Sequence, residues 1–434
     1  TQPAWAAMAL VLPLLLLAHL TRSSLPRTLP EAAAAAGPVL RDRPFVVVWN
    51  MPTAHCQKHY NVCLDLRDFD IVENRRQDFQ GQKMTIFYRD HLGMYPFISR
   101  EGGKVNGGIP QLGHLSAHLS LAVTQISSLL RPNFTGLAVI DWEEWQPLWE
   151  KNLGEKMEYR RLSKRLVRQE RPGLSEKAVM SLARGMFEGG ARKFMEVTLQ
   201  AAIRTRPEGL WGFYGFPVCS NKHKRKTDDT YTGRCHTGSR RQNDRLSWLW
   251  GRSTALYPSI YLPRGLAGSS RAALMVRYTL LEALRVASVW RHGGTSSGAT
   301  PVLPYARLAY THTLAFLSKT DLEHTLGESA ALGAAGVVLW GELEFAKSER
   351  QCLLLRDYIH TVLGPFIRAL RADTQLCSLQ LCRGNGRCAR RHLGSGRTFS
   401  SGPAQTSDPE KAKHFTCQCY RGWTGQGCHQ KIQN

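Results

Sequence analysis

The stretch Gly136-Leu-Ala-Val-Ile-Asp-Trp-Glu-Glu-Trp145 is an apolar run that ends in carboxylates. The run predicts a buried strand, and because side chains alternate along a strand, Asp141 and Glu143 project to the same side. Two carboxylates held so close do not both ionise easily, so one has a raised pKa and can act as a general acid near neutral pH. The pair therefore predicts glycosidic bond cleavage, and a solvated acidic turn is the alternative.

Six other short apolar or aromatic runs recur along the chain, and helical patterns separate most of them. The runs are 45–50, 84–88, 209–214, 258–261, 302–305 and 336–340, and the helical patterns include 115–130, 157–203, 272–289 and 322–332. Strands that alternate with helices indicate a parallel sheet. Without a dinucleotide-binding glycine motif, this pattern predicts an α/β fold with a closed (β/α) barrel of about seven to eight strands, similar to a TIM barrel.

Polar and aromatic residues end each of these predicted strands. They are Asn50, Tyr88, Asp141 with Glu143, Tyr214, Tyr261, Tyr305 and Trp340. The active sites of such barrels form at the carboxyl ends of the strands, so we expect these side chains to converge. A single aromatic residue at a strand end is more often part of the core, but the whole set predicts a groove that suits sugar rings.

The amino-terminal segment 6–20 is apolar and has the length of a signal peptide, although the sequence begins at Thr1 without a preceding basic region. It is shorter than the roughly 20 residues of a membrane-spanning helix and contains Pro13. We therefore expect a signal peptide at 1–24 that lacks its first residues, and a linker at 25–42. A membrane anchor is the alternative.

The secretory pathway follows from that interpretation, with the protein secreted, lysosomal, acrosomal or associated with the cell surface. The last residues, Cys428-His-Gln-Lys-Ile-Gln-Asn434, form no hydrophobic tail, so we expect neither a GPI anchor nor a transmembrane span.

Six of the eleven cysteines crowd into the C-terminal part: Cys377, Cys382, Cys388, Cys417, Cys419 and Cys428. Their spacing predicts an EGF-like module at 371–434 after a catalytic barrel at 43–370, because so short a segment has too little core to fold without disulfides. A zinc site would use Cys-x-x-Cys pairs, which are missing, so we expect no metal. Six cysteines still allow many connectivities.

The other five cysteines precede this module. Cys219 and Cys235 bracket a basic loop and are expected to close it. Cys56 and Cys352 are expected to form a long-range clasp, which leaves Cys63 without a partner.

The formal net charge of +23 favours polyanionic partners. Nucleic acid is excluded by the extracytoplasmic location. The basic run Lys222-His-Lys-Arg-Lys226 and the pair Arg240-Arg241 either contact such a partner or form a solvated loop. The sequon at Asn133 predicts one surface glycan.

Several blocks together resemble the hyaluronidases of glycoside hydrolase family 56, from about Arg43 to Cys428. They are Ala138-Val-Ile-Asp-Trp-Glu-Glu-Trp145, Leu210-Trp-Gly-Phe-Tyr-Gly-Phe-Pro217, Asn243-Asp-Arg-Leu-Ser-Trp-Leu-Trp250, Ala255-Leu-Tyr-Pro-Ser-Ile-Tyr261, the stretch 327–340 and the Cys-rich tail. The resemblance implies an endo-β-N-acetylhexosaminidase that cleaves β-1,4 bonds of hyaluronan with retention, the N-acetyl carbonyl of the sugar acting as nucleophile.

The resemblance also implies a role for each cleft residue. Glu143 is the proton donor and later the base that activates water, while Asp141 raises the pKa of Glu143 and orients the acetamido group. Tyr214 and Tyr261 hold that group, and Trp340 stacks on the sugar. The other substrate-binding positions are Asn50, Tyr88, Gln146, Ser259 and Tyr305. Glu144 faces the other way by strand parity and is structural.

Further expectations follow from the same resemblance. The EGF-like pattern gives the pairs Cys377–Cys388, Cys382–Cys417 and Cys419–Cys428. The family implies a monomer that needs no cofactor.

Three cleft positions depart from the family pattern. Gln146 replaces the usual Arg, which removes a cation suited to a glucuronate carboxylate; Val218 replaces Asp; and Thr311 stands where many members have Asp. The same positions are altered in one paralogue. We therefore expect a hyaluronan hydrolase of low activity, with an acid optimum. The alternatives are a glycosaminoglycan-binding protein with little turnover and a hydrolase that prefers chondroitin.

Overall fold

The computed structural model describes residues 37–74, 76–221, 230–290, 299–399 and 413–432. The predicted signal peptide, the first part of the predicted linker and the basic run 222–226 lie outside these ranges. Within them, no helix is long and apolar enough to cross a membrane. The same residues contain no group of three or more His, Cys, Asp or Glu side chains arranged to hold a metal ion.

Strands and helices alternate along most of the described chain. The strands are β1 (Val46–Trp49), β2 (Ile71–Val72), β3 (Met84–Tyr88), β4 (Phe97–Ile98), β5 (Lys104–Val105), β6 (Leu137–Asp141), β7 (Leu210–Phe213), β8 (Tyr305–Ala306), β9 (Gly336–Leu339), β10 (Gly386–Arg390), β11 (Phe415–Cys419), β12 (Trp423–Thr424) and β13 (Gln430–Lys431). The α-helices are α1 (Ala54–Tyr60), α2 (Leu115–Leu129), α3 (Met157–Glu170), α4 (Glu176–Thr205), α5 (Thr237–Arg245), α6 (Ser247–Trp250), α7 (Ser270–Val289), α8 (Lys319–Leu322), α9 (Glu328–Ala331), α10 (Glu349–Tyr358) and α11 (Gly364–Cys382).

Parallel strands form the centre of the fold in two sheets, with the orders β2-β1-β9-β8 and β3-β6-β7. Parallel bridges from Tyr214 to Tyr257, from Leu256 to Val302 and from Ser259 to Tyr305 place the segment 256–259 between β7 and β8. The two sheets are thereby joined along one side. Among the described pairings none joins β2 to β3, so closure of the barrel stays a prediction.

Both faces of these strands are buried, as parallel sheets require. Val46, Val48, Val139 and Val338 pack together in one inner cluster that draws on seven of these segments. The alternate residues, such as Val47, belong to a second cluster shared with the helices. The period of two therefore assigns each strand residue to one of two cores.

Two predicted elements differ from the structure for local reasons. The helical pattern 157–203 is two helices, because Pro172 and Gly173, whose φ is +89°, interrupt it before Ser175 caps α4. The predicted strand 258–261 makes only isolated bridges. Pro258 has no N–H to donate, although its carbonyl accepts from the Tyr305 N–H at 2.8 Å.

The C-terminal part packs directly on the helices of the central fold. The predicted boundary between 370 and 371 falls inside α11. This helix contains Cys377 and Cys382, whose disulfides link it to β10 and β11. Buried Glu328, which begins α9, accepts from Arg277 on α7 at 2.6 Å and from Arg390 on β10 at 2.6 and 2.9 Å. A buried ion cluster thus joins β10 to the central helices.

Five disulfides are present in the structure, and they join the pairs expected above: Cys56–Cys352, Cys219–Cys235, Cys377–Cys388, Cys382–Cys417 and Cys419–Cys428. Cys63 is a free, exposed thiol.

Candidate active site

The side chains at the carboxyl ends of the parallel strands continue the inner face of the sheets. Asp141 follows the inward residue Val139, Tyr305 follows Leu303, and Trp340 follows Val338. By the same parity Asn50, Tyr88, Tyr214 and Ser259 belong to this layer. The period of two therefore brings together the residues that the sequence places at strand ends.

Aromatic rings form a continuous wall in this layer. Tyr214 lies 5.0 Å from Tyr305 and 6.1 Å from Tyr261 between ring centroids. Tyr261 stacks on Trp340 at 6.2 Å with an interplanar angle of 15°, and the Trp340 Nε1–H donates to the Tyr88 hydroxyl at 3.3 Å. Such a wall offers stacking faces and hydroxyl groups to a sugar chain.

Phe79 extends the same wall and was missed by sequence reasoning. Its ring centroid lies 6.2 Å from that of Trp340, with the two rings stacked, and 5.8 Å from that of Tyr88, with the rings edge to face. It belongs to the loop between β2 and β3 and ends no strand, so a search of strand ends could not find it.

Asp141 differs from Glu143 in its surroundings. Burial raises the pKa of Asp141 to about 8, and the negative charges of Glu143 and Glu144 add to the effect. Glu143 is exposed. The raised pKa of Asp141 agrees with the prediction that one member of the pair has a raised pKa, and it follows from the position of Asp141 at the end of β6. At neutral pH Asp141 thus holds a proton.

The tyrosines around Asp141, which are buried or half-buried, also remain protonated. Burial raises the pKa of Tyr214 to about 12 and raises the pKa values of Tyr88, Tyr261 and Tyr305 further above their ordinary value. These hydroxyls are therefore neutral donors across the physiological pH range.

Several buried polar atoms of this layer have no hydrogen-bond partner within the described ranges. They include both side-chain amide atoms of Asn50, the Oδ1 of Asp141 and the hydroxyl of Tyr305. Polar groups buried in this way are normally satisfied by protein, water or ligand. Their concentration at one end of the sheets identifies this layer as the candidate site.

Glu144 and Gln146 lie beside the acidic pair and have different partners. Glu144 forms an ion pair with Arg89, which also lies over the Phe97 ring at 4.6 Å. The main chain of Gln146 is held at both its N–H and its carbonyl by Asn152, each at 2.9 Å. Glu144 is thus engaged in a structural contact.

Two of the three departures from the family pattern meet in one place. Gln146 and Val218 line the same small cavity, together with Lys151 and Asn243. Thr311 lies elsewhere, its N–H donating to the Leu262 carbonyl at 3.0 Å. The two replacements therefore act on one local environment.

A second ion pair, which sequence reasoning missed, lies one layer further out. Arg307 and Glu342 stand two residues beyond Tyr305 and Trp340, as Glu143 stands two residues beyond Asp141. The Arg307 guanidinium donates to both carboxylate oxygens of Glu342. Counting two residues beyond the strand-end residues Tyr305 and Trp340 leads to Arg307 and Glu342 in the sequence.

The predicted glycosylation site lies in the turn between α2 and β6. Asn133 is exposed while the adjacent Phe134 is buried. The turn therefore presents the Asn133 side chain on the surface, as a glycan requires.

Comparison with known proteins agrees with the geometry. The model of glycoside hydrolase family 56, described as hyaluronidase, matches residues 34–432 of this chain. Human hyaluronidase-3 is 45% identical over 91% of this chain and 92% of its own length, and human hyaluronidase-1 is 42% identical over 93% and 96%. The crystal structure of bee venom hyaluronidase in complex with a hyaluronic acid tetramer has a TM-score of 0.66 at 32% identity, covering 75% of this chain and 98% of the bee chain. The chain therefore belongs to the hyaluronidase family of glycoside hydrolases.

Proposed function

We propose that this protein is an endo-β-N-acetylhexosaminidase that hydrolyses the β-1,4 bonds of hyaluronan with retention of configuration. The observation that carries the proposal is the carboxylate pair of Asp141 and Glu143 at the end of β6, close to the wall formed by Tyr214, Tyr261 and Trp340. The bee venom relative was crystallised with a hyaluronic acid tetramer, which supports this choice of substrate.

The acidic pair supplies the proton for the first step. Asp141 holds it in the free protein, and its transfer to Glu143 arms the general acid while leaving Asp141 negatively charged. Glu143 protonates the leaving glycosidic oxygen as the acetamido oxygen of the substrate bonds to the anomeric carbon. Positive charge then develops on the acetamido group, and the Asp141 carboxylate stabilises it.

Water completes the reaction by approaching the anomeric carbon from the side that the leaving group has vacated. The Glu143 carboxylate takes a proton from water, and the hydroxide oxygen bonds to the anomeric carbon while the acetamido oxygen departs. Two displacements at one carbon give net retention. The hydroxyls of Tyr214 and Tyr261 hold the acetamido group in line, and Asn50, Tyr88, Ser259, Tyr305 and Gln146 bind neighbouring parts of the chain.

Low turnover is part of the proposal. Relative to the family pattern, a neutral side chain at 146 and an apolar one at 218 remove two charges from a single cavity. The protein would thus cleave hyaluronan more slowly than relatives that retain both. The second candidate, a glycosaminoglycan-binding protein with little turnover, draws on the same replacements, and a preference for chondroitin is a third outcome of the test.

The proposed cellular compartment rests on the disulfides. Five disulfides in one chain favour an oxidising compartment, so we place the protein in the secretory pathway, either secreted or lysosomal. We assign 43–370 to a closed barrel and 371–434 to an EGF-like module, with the helix α11 shared between the two, and we expect a monomer with a glycan on Asn133.

Reducing-end release from hyaluronan and from unsulfated chondroitin, scanned from acid to neutral pH, tests this function. We expect release from hyaluronan, with the β-anomer as the first product in NMR spectra. An α-anomer as first product would contradict the retaining mechanism. Binding without release would favour the glycosaminoglycan-binding alternative, and faster release from chondroitin would change the substrate.

A further inference from the structure

Arg307 is a nearly buried cation that lies against the aromatic wall of the site. Only 8% of its side chain is exposed, and its Cζ lies 5.7 Å from the Tyr261 ring centroid and 5.9 Å from that of Trp340. Cation and ring faces attract one another at such distances. Two rings of the aromatic wall therefore attract the guanidinium in addition to its anionic partner.

Glu342 neutralises this cation from the solvent side. The Arg307 Nη1 donates to the Glu342 Oε1 at 2.6 Å, and Nη2 donates to the other carboxylate oxygen. The Glu342 side chain is 41% exposed. A carboxylate of the substrate can approach Arg307 from that same solvent side and take the place of the Glu342 carboxylate.

Other cations near the acidic pair are already engaged. Arg89 pairs with Glu144, and the Lys156 ammonium donates to the Glu143 carbonyl. Position 146 has glutamine. Arg307 differs from Arg89 and Lys156 in lying against Tyr261 and Trp340, two rings of the aromatic wall.

We infer that Arg307 recognises a uronate carboxylate of the substrate and that Glu342 occupies its guanidinium in the free protein. The planar fork of an arginine matches a sugar carboxylate as it matches that of Glu342. Glu342 would then lower affinity twice, by competing for Arg307 and by repelling the substrate anion. The inference rests on the proposed function and names the charged subsite within it.

Binding measured without turnover tests this inference. In a Glu143→Gln background, the affinity for a hyaluronan octasaccharide is compared by calorimetry with that for the same oligosaccharide whose carboxylates are reduced to alcohols. We expect Glu342→Gln to tighten hyaluronan binding about threefold to tenfold, and Arg307→Gln to weaken it on the order of tenfold. Arg307→Lys should retain part of the affinity, and none of these changes should alter binding of the reduced oligosaccharide.

Glu344→Gln is the matched control, because Glu344 is exposed, lies two residues away and undergoes the same loss of charge. Unchanged or weaker hyaluronan binding in Glu342→Gln would overturn the inference, as would no detectable binding to the background protein. Equal weakening for both oligosaccharides in Arg307→Gln would reduce Arg307 to a support for Tyr261 and Trp340. Reducing-end release by the unmodified protein decides the proposed function separately.

Discussion

The raised pKa of Asp141 predicts a pH-dependent effect on stability that Asp141→Asn should remove. The folded protein holds a proton on this carboxyl up to about pH 8, whereas the unfolded chain releases it near the ordinary value of 3.8. The stability linked to this proton is therefore fully present below pH 3.8 and is lost as the pH rises to about 8.

The size of the effect follows from the width of that window. The two pKa values differ by about 4 units, and each unit corresponds to about 1.36 kcal/mol, so the full effect is on the order of 5 kcal/mol. Residual solvation and the coupling to Glu143 reduce it, and a change of about 2 to 5 kcal/mol is expected. Asparagine keeps the shape of the side chain and does not titrate.

Denaturant unfolding at several pH values, with disulfides intact, measures this difference. Between pH 4.5 and pH 8, the free energy of unfolding of Asp141→Asn should rise relative to that of the unmodified protein. Glu144→Gln serves as the control, because Glu144 is ion-paired with Arg89 and should give no such rise. Equal pH slopes for Asp141→Asn and the unmodified protein would refute the buried, protonated state of Asp141.

Three further predictions concern activity and stability. Activity towards hyaluronan should decline above about pH 8, because the acidic pair then loses its proton, and a kcat/KM profile checks this. The double change Gln146→Arg with Val218→Asp should raise kcat/KM by about threefold or more beyond the product of the two single changes. The reason is that each new charge then has its partner in the shared cavity. A double variant whose kcat/KM equals the product of the single effects would refute the pairing. Glu328→Gln should lower the free energy of unfolding by about 3 to 5 kcal/mol, because Arg277 and Arg390 would remain buried without their anion, and an unchanged denaturation midpoint would contradict it.

Strand parity explains why much of the site was predictable from sequence. Side chains alternate between the two faces of each predicted strand, and the inner face ends in Asp141, Tyr305 or Trp340. The carboxyl ends of parallel strands meet at one edge of the sheet. The pairing of β1, β3, β6, β7 and β9 in parallel agrees with the alternation of runs and helices.

Contacts between distant segments were beyond the reach of this reasoning. Phe79 reaches the aromatic wall from a loop, and Arg307 meets Glu342 across 35 positions of sequence. The location of the raised pKa on Asp141 depends on three-dimensional burial. Spacing along one strand predicts that a carboxylate pair interacts, but it does not say which member is desolvated.

The helix α11 shows the same limit at a domain boundary. Cysteine spacing indicated a separate C-terminal module, whereas the helix that carries Cys377 and Cys382 begins at Gly364 in the central part. The buried cluster around Glu328 also involves residues from both sides of that boundary.

Reducing-end release from hyaluronan by Glu143→Gln, compared with Glu144→Gln, measures the role of the proposed proton donor. Glutamine keeps the size of either side chain and removes the proton, so we expect a loss of at least ~10²-fold in kcat for Glu143→Gln, with oligosaccharide affinity retained. Glu144→Gln should lower kcat far less. Equal kcat for Glu143→Gln and the unmodified protein, or a larger loss in Glu144→Gln, would contradict the assignment of Glu143 as the proton donor.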